Sequence, residues 1–419
     1  MEHFFKAIIV FLSLVSINTY AQSGWSVQNS GTFENLNDIK FIDINTGWAV
    51  GNAGVVLKTT NGGTNWSLVN TGFGNNNYCI QIYSANTFYI GSTSSRYLKT
   101  TNAGVNWVSL ITDPNTSGYI GSLYFLTDQA GYVSWNTAST NDYLYNTTNA
   151  GSNWNFTGQL VGAGKLYFYN GTNNGWMVGI ATPFNFNQQN YGYTTDGVNW
   201  TYKVIGDAGK LNGVNFITST LGYTVGNNGK IYKSTNSGLN WVTQTSSVNS
   251  TLKGIASKDP SVTWAIGDNG VILNTTNGGS NWTSQLSPTT QTLNSIYVPV
   301  NSNTGWIAGN QGIILKTVNG GVGVKQISSS IPSEYKLFQN YPNPFNPTTN
   351  IKFQIPRSSF VKLELYDING KHISTLVSEQ LNSGTYEFTI DANHLYSGTY
   401  FLILNSNNFF VSQKIVLVK

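Results

Sequence analysis

Residues 22–325 carry carboxylates at Glu34, Asp38, Asp43, Asp113, Asp128, Asp142, Asp196, Asp207, Asp259 and Asp268. Two carboxylates are all that glycoside hydrolysis requires, one to protonate the leaving oxygen and one to attack or to activate water. Most of these lie in turn-like stretches, where Asp serves the backbone. No histidine accompanies them, since His3 opens the chain and His372 and His394 lie far downstream. A Ser/His or Cys/His nucleophile is therefore unavailable to this region, and so is a histidine zinc site. Cys79 is the single cysteine, which excludes an intrachain disulfide and argues against a Cys-based metal site. It lies in an apolar run and reads as a small core residue. Arg96 is the only arginine of the region. No catalytic residue, metal or cofactor is expected, and no basic cluster points to nucleic acid.

The elements that would position these groups are repeats. The stretch Lys58-Thr59-Thr60-Asn61-Gly62-Gly63-Thr64-Asn65-Trp66 returns along the chain, its tryptophan recurring at Trp107, Trp154, Trp200, Trp241 and Trp282. A copy of the end alone stands at Trp25, and from there the spacings are 41, 41, 47, 46, 41 and 41. Periods of roughly 40–45 residues are typical of propeller blades. One repeat reads as four strands: Leu36 to Phe41, Trp48 to Val50, Val55 to Thr59 and Trp66 to Val69, joined by turns rich in Asn and Gly. Only 9% of residues are charged and 14% are aromatic, a composition that suits pleated sheets. The Asn-Gly-Gly turn has a last copy at Asn319-Gly320-Gly321 with no tryptophan after it. The surplus strand at Trp25 predicts that the N-terminal segment completes the last blade and removes the ring's open edges. The fold class is all-β: a seven-bladed β-propeller followed by a small antiparallel β-sandwich.

Thr59 to Trp66 resembles the Asp-box, Ser/Thr-x-Asp-x-Gly-x-x-Trp, with Asn in place of Asp in most copies and Asp196 keeping the acid in a shorter turn. A motif present in every blade is turn chemistry rather than a unique site. Together with the Gly-Trp-Ala-Val-Gly strand, the repeat resembles the photosystem II stability/assembly factor family of seven-bladed propellers over about residues 22–325. That family is associated with an arginine-rich patch that engages photosystem subunits. Arg96 alone does not make such a patch, and no photosystem partner is expected. Sialidases share Asp-box propellers, and that likeness implies an arginine triad, which one arginine cannot supply. The longer spacings fall in the loop between second and third strands, in Ser134 to Tyr143 and Ile180 to Tyr191, with a short variant at Ser92 to Arg96. Loops on a rigid scaffold are where binding is placed. Arg96, Trp135, Phe184, Phe186 and Tyr191 are the candidate ligand-binding residues, for an extracellular glycan or protein, with mutual packing of the aromatics as the other reading. Asn37, Asn212 and Asn294 begin inner strands at equivalent positions and read as channel-mouth residues or as solvated caps.

At the two ends the chain carries addresses. Residues 1–21 read as a signal peptide: Lys6, the apolar run Ala7 to Val15, and small residues Thr19 and Ala21 before a cut at Gln22. Residues 326–335 read as a polar linker in which processing is expected. Past it, Asn340-Tyr341-Pro342-Asn343-Pro344-Phe345-Asn346-Pro347 is extended by its prolines. Alternation then marks short strands, as at Ile351, Phe353, Ile355 and at Val361, Leu363, Leu365. Residues 336–419 resemble the type A C-terminal sorting domain of the type IX (Por) secretion system. The resemblance rests on Pro342, Asn343, Pro344, Phe345, Asn346 and Pro347, on Gly370 in Tyr366 to Gly370, on Gly398 and Tyr400 in Leu395 to Tyr400, and on Lys414 to Lys419 at the end. It implies Sec export, translocation across the outer membrane by the type IX machinery as partner, and release or display at the cell surface. The function expected is a surface or secreted binding module. A glycoside hydrolase using loop carboxylates and a purely structural surface protein are the alternatives.

Overall fold

The computed structural model describes residues 24–112, 118–137, 142–160, 163–169, 171–179, 190–205, 209–392, 395–407 and 409–419. Residues 1–21, read from sequence as a signal peptide, lie outside them. The chain divides into two compact units, residues 23–323 with 374–379, and the remainder from Val324 onward. Among the described residues no helix is long and apolar enough to cross a membrane.

The first unit is a ring of seven four-stranded antiparallel sheets. The innermost strands are Leu36–Phe41, Asn77–Ile82, Gly118–Phe125, Ala163–Phe168, Leu211–Phe216, Leu252–Ser257 and Leu293–Tyr297. Each neighbours the next, and the seventh returns to the first. The seventh sheet takes its outer strand from the N-terminus: Gly24–Gln28 pairs antiparallel with Ile314–Gly321, placing Val27 opposite Leu315. Trp25 is buried there and donates its indole N–H to Gln285 Oε1 at 2.9 Å.

Aromatic stacking joins the blades. Phe41 in blade 1 stacks on Trp306 in blade 7 at 3.7 Å, and Phe216 in blade 5 on Trp176 in blade 4 at 3.6 Å. The box tryptophan meets the same ring edge-on, as Trp66 does to Phe41 at 84°. This explains the glycine before the second-strand aromatic in blades 1, 3, 4 and 5. A Cβ on Gly131 would stand 2.8 Å from the Phe125 ring, closer than packed atoms tolerate.

The box itself is a joint. Asn61 Oδ1 accepts from Asn65 N at 2.9 Å while Thr59 Oγ1 accepts from Gly63 N at 2.9 Å. The same pair of bonds recurs around Asn102, Asn149, Asn236 and Asn277. The turn so folded presents a carbonyl to the blade before it: Trp306 donates to Gly62 O, Trp264 to Gly320 O and Trp176 to Ser237 O. Where Asp196 keeps the acid, Val198 N and Asn199 N both donate to its Oδ1 at 2.8 Å. These backbone donors hold its carboxyl well below the usual range. The box residues therefore serve turns and blade joints.

The second unit is a pair of four-stranded antiparallel sheets. One runs Lys325–Ser328, Gly384–Asp391, Thr348–Ile355, Lys336–Leu337, and the other His372–Leu381, Ser359–Asp367, Gly398–Ser406, Phe409–Leu417. Ile351, Phe353 and Ile355 are buried, as are Val361, Leu363 and Leu365, so the period-two pattern faces the core. The polar run at 326–328, read from sequence as linker, is instead part of an edge strand, with Gln326 opposite Tyr386. Its backbone pairing does not depend on apolar side chains, which is why the alternation rule misses it.

Candidate functional site

Every innermost strand carries a β-bulge near its start, between Leu36 and Asp38 in blade 1 and at the equivalent place in the other six. The extra residue re-aims the side chains around it. At the bulge position stand Asn37, Tyr78, Gly121, Gly164, Asn212, Lys253 and Asn294. One residue on stand Asp38, Cys79, Ser122, Lys165, Gly213, Gly254 and Ser295.

In blades 1, 5 and 7 the bulge residue is a staple. Asn37 donates to Asn52 Oδ1 and to Asn77 O in the next blade, Asn212 to Asn227 Oδ1 and Leu252 O, and Asn294 to Asn310 Oδ1 and Leu36 O. The amide nitrogens of these three asparagines are thus spent on ties within and between blades. In blade 6 Lys253 reaches Asp268 at 3.6 Å. Blades 2 to 4 break the series. Tyr78 replaces the amide, Gly121 and Gly164 have no side chain, and the ring of Tyr78 lies 4.2 Å from that of Tyr119, tilted by 33°. Both tyrosines are only partly buried. The loop after the second strand of blade 2 meets this place, since Ser94 N donates to Gly118 O and Thr93 bridges Tyr119.

Below this rim, Asp38 is a buried carboxylate. It accepts from Ile80 N in blade 2 at 3.0 Å, from Ser295 Oγ in blade 7 at 2.6 Å and from Ile39 N at 3.0 Å. Burial alone would raise its pKa. The charges of Lys40, at 3.8 Å, and of Lys165 in blade 4, with the Ser295 and Ile80 donors, outweigh burial and hold it below the ordinary value. Asp38 is thus an ionised tie across three blades, with its oxygens already engaged. Burial pushes the Cys79 thiol up to about 12, so it stays protonated and is not a nucleophile. The turn aspartates bond their own loops: Asp43 accepts from Asn45 N and Thr46 N, and Asp259 from Ser261 N and Val262 N. Asp113 and Asp207 lie outside the described residues.

The sequence-derived ligand residues fare differently. Arg96 is half-buried at the start of its strand and donates from Nη1 to Ser109 Oγ at 3.2 Å. Trp135 is 3% exposed, stacked on Tyr143 at 5.3 Å within a hydrophobic cluster of blades 2 and 3. Tyr191 is 2% exposed and meets Trp241 edge-on at 6.0 Å. Neither ring offers a free face: Trp135 packs on Tyr143 and Tyr145 of its own blade, and Tyr191 on Trp241 of the next. Phe184 and Phe186 lie outside the described residues. Sequence reasoning missed Tyr78 and Tyr119. The available signal was a tyrosine standing where three other repeats have Asn.

In the second unit the proline-rich segment folds against the last strand. Phe345 is buried, donates to Val416 O and accepts from Val418 N, while Asn343 Oδ1 accepts from Val416 N. Pro342 O accepts from Asn340 Nδ2 and Thr349 Oγ1, and Pro347 O accepts from Ala392 N. Pro344 and Asn346 are exposed. Gly370 closes a turn at φ 76°, Gly398 opens a strand, and Tyr400 donates to Tyr396 O at 2.8 Å. Lys414 O accepts from Gln339 Nε2, and Lys419 N donates to Ser397 Oγ.

Residues 17–192 and 236–340 match the family described as photosynthesis system II assembly factor YCF48, and the chain belongs to that family. Residues 339–419 match the secretion system C-terminal sorting domain. A solved structure of YCF48 bound to D1 peptide is 21% identical, with a TM-score of 0.59, over 71% of this chain and 97% of that one. YCF48 from Cyanidioschyzon merolae is 18% identical, with a TM-score of 0.57, over 70% and 98%. The WD40 β-propeller domain of Doa1 is 11% identical, with a TM-score of 0.55, over 70% and 96%. At these identities the likeness is one of fold. No curated protein matches the chain. The sorting domain marks the protein for type IX export to the cell surface or beyond.

Proposed function

We propose that this family member is an extracellular interaction module, without catalytic activity, that binds a polypeptide segment of a surface or secreted protein on the loop face of blades 2 to 4. The observation that carries the reading is the break in the staple series. Where other blades spend their bulge residue on the neighbouring blade, blades 2 and 3 present the Tyr78–Tyr119 pair, partly exposed. Tyrosine supplies large contact area at low entropy cost and a polar tip for orientation. Arg96 begins the third strand of the same blade as Tyr78, and Lys165 stands one position below the rim. The related protein solved with a peptide supports a ligand of that class. The route proposed is Sec export to the periplasm, then type IX translocation through residues 336–419. A photosystem is not the partner proposed, because Arg96 is the only arginine of the ring.

The test is retention of the purified protein on immobilised cell-surface and matrix proteins and on polysaccharides, with released sugar scored in the same wells. A folded Tyr78→Ala/Tyr119→Ala variant that binds its protein ligand at least ~10-fold more weakly, as loss of an aromatic anchor predicts, supports the site. Retention on polysaccharide alone reassigns the ligand class. Released sugar establishes the hydrolase reading, and equal retention by both proteins removes the site.

A further inference from the structure

We propose that the cavity between blades 5 and 6 is a binding site for a neutral sugar unit, separate from the tyrosine pair of blades 2 and 3. The cavity holds about 490 Å³, within the roughly 300–1,000 Å³ of small-molecule sites. It lies against the outer strand Val242–Gln244 and between the box turns of the two blades.

Its origin is a difference between two adjacent joints. At the joint of blades 6 and 7, Gln285 reaches across, donating to Gly320 O at 2.8 Å and accepting from Trp25 Nε1 at 2.9 Å. Gln244 holds the equivalent place, last in its outer strand, but its amide turns back to Val242 O at 3.3 Å and Thr243 O at 3.1 Å. The crossing bond at this joint comes instead from Lys233 Nζ, which donates to Gly278 O at 2.6 Å. Gln244 Oε1 lies against Gly279 as Gln285 Oε1 lies against Gly321, but the indole bond that Trp25 gives Gln285 is not made here, and the N–H of the equivalent Trp282 is buried without a partner.

The lining chooses the ligand. Asn236, Asn240, Thr243, Gln244 and Ser280 bring hydroxyls and amides, Val242 is the single large apolar side chain, and no carboxylate is present. Without a carboxylate the cavity has no negative charge to hold a metal or an ammonium. Its one cation is already held by Gly278 O and by the Tyr223 ring at 5.9 Å, so an anion gains little. An apolar guest would leave the amides unpaired, which is unfavourable. A pyranose, with hydroxyls that both donate and accept, satisfies them.

The experiment is saturation-transfer NMR on the full purified protein with the methyl glycosides of glucose, galactose, mannose and N-acetylglucosamine at millimolar concentration. Thr243→Trp fills the mouth from an exposed strand position, and Gln244→Ala removes the free acceptor. Melting curves establish that both variants are folded. Transfer to at least one sugar that falls several-fold in Thr243→Trp and in Gln244→Ala, and persists in Tyr78→Ala, supports the site. Transfer unchanged in Thr243→Trp, transfer lost in Tyr78→Ala instead, or no transfer to any of the four sugars overturns it. Persistence in Tyr78→Ala also separates this site from the loop-face reading, which stands or falls on retention of a protein ligand.

Discussion

Two arcs of one ring obey different rules. In blades 5, 6, 7 and 1 the bulge residue is Asn212, Lys253, Asn294 or Asn37, each tied to its own hairpin loop or, for the asparagines, also to the next inner strand. In blades 2, 3 and 4 the same position is Tyr78, Gly121 or Gly164, and the hairpin loops are longer or altered. The regular arc spends its polar side chains on holding the ring together. The irregular arc gives up those ties, and the aromatic pair stands there. Closure of the ring falls wholly within the regular arc, where Trp25, Gln285 and Asp38 cooperate.

The largest effect that would sharpen this contrast comes from the stacking that both arcs need. Trp306→Ala removes the ring stacked on Phe41 and should cost ~3–5 kcal/mol, read as a lower urea midpoint. Trp135→Ala, in the irregular arc, should cost a similar amount because it too is core. A Trp135→Ala protein of unchanged stability but lost binding would restore it to a ligand site and break the comparison.

Next is Asp38, the charge at the closure. Asp38→Ala strands the Ile80 N–H, the Ser295 hydroxyl and two lysines, and should cost about 3 kcal/mol. Because its native pKa is depressed, its contribution is complete above the ordinary value of 3.8 and is lost as pH falls below that, through the lower native value. Stability curves of the protein and of Asp38→Asn should therefore run parallel from neutral pH down to the ordinary value of 3.8 and converge only below it, which is where the comparison is read. Curves still parallel below that value would mean that the carboxylate is not the tie.

A smaller effect separates staple from platform. Asn212→Ala should lower stability by ~1 kcal/mol with binding intact, since it loses hydrogen bonds of ordinary strength. Tyr78→Ala should do the reverse, with stability shifted less than binding. If both variants behave alike, the two arcs do not differ in role. The smallest effect belongs to the box. Asp196→Asn should change stability by less than ~0.5 kcal/mol in a denaturant titration, because an amide Oδ1 can accept from Val198 N and Asn199 N as the carboxylate does, just as Asn61, Asn102 and Asn149 cap the longer turns.

The repeat was legible because its residues act over short distances. Thr59, Asn61 and Gly63 bond within one turn, so their spacing survives in every copy. The surplus Trp25 strand announced the closure for the same reason, as did the motif of the sorting domain. Which aromatics are free was not legible. Trp135 and Tyr191 lie in or beside long loops, yet their rings are used up by Tyr143 across the same hairpin and by Trp241 in the next blade. Tyr78 looks like any strand tyrosine until a one-residue bulge, invisible in an alternation pattern, sets it beside Tyr119, 41 positions on.

By itself, then, the amino-acid sequence determined the all-β class, the number of blades, the ring's closure by its N-terminal strand and the address at its C-terminus. The first three follow from local turn chemistry and side-chain periodicity, and the address from the resemblance of residues 336–419 to a known sorting domain. Only the tertiary structure decided which polar groups are spent on the ring and which remain. The role of Asp38, the unstapled tyrosines and the cavity beside Gln244 all depend on what the next blade places opposite them. Register between blades is a property of packing that no single stretch of chain contains.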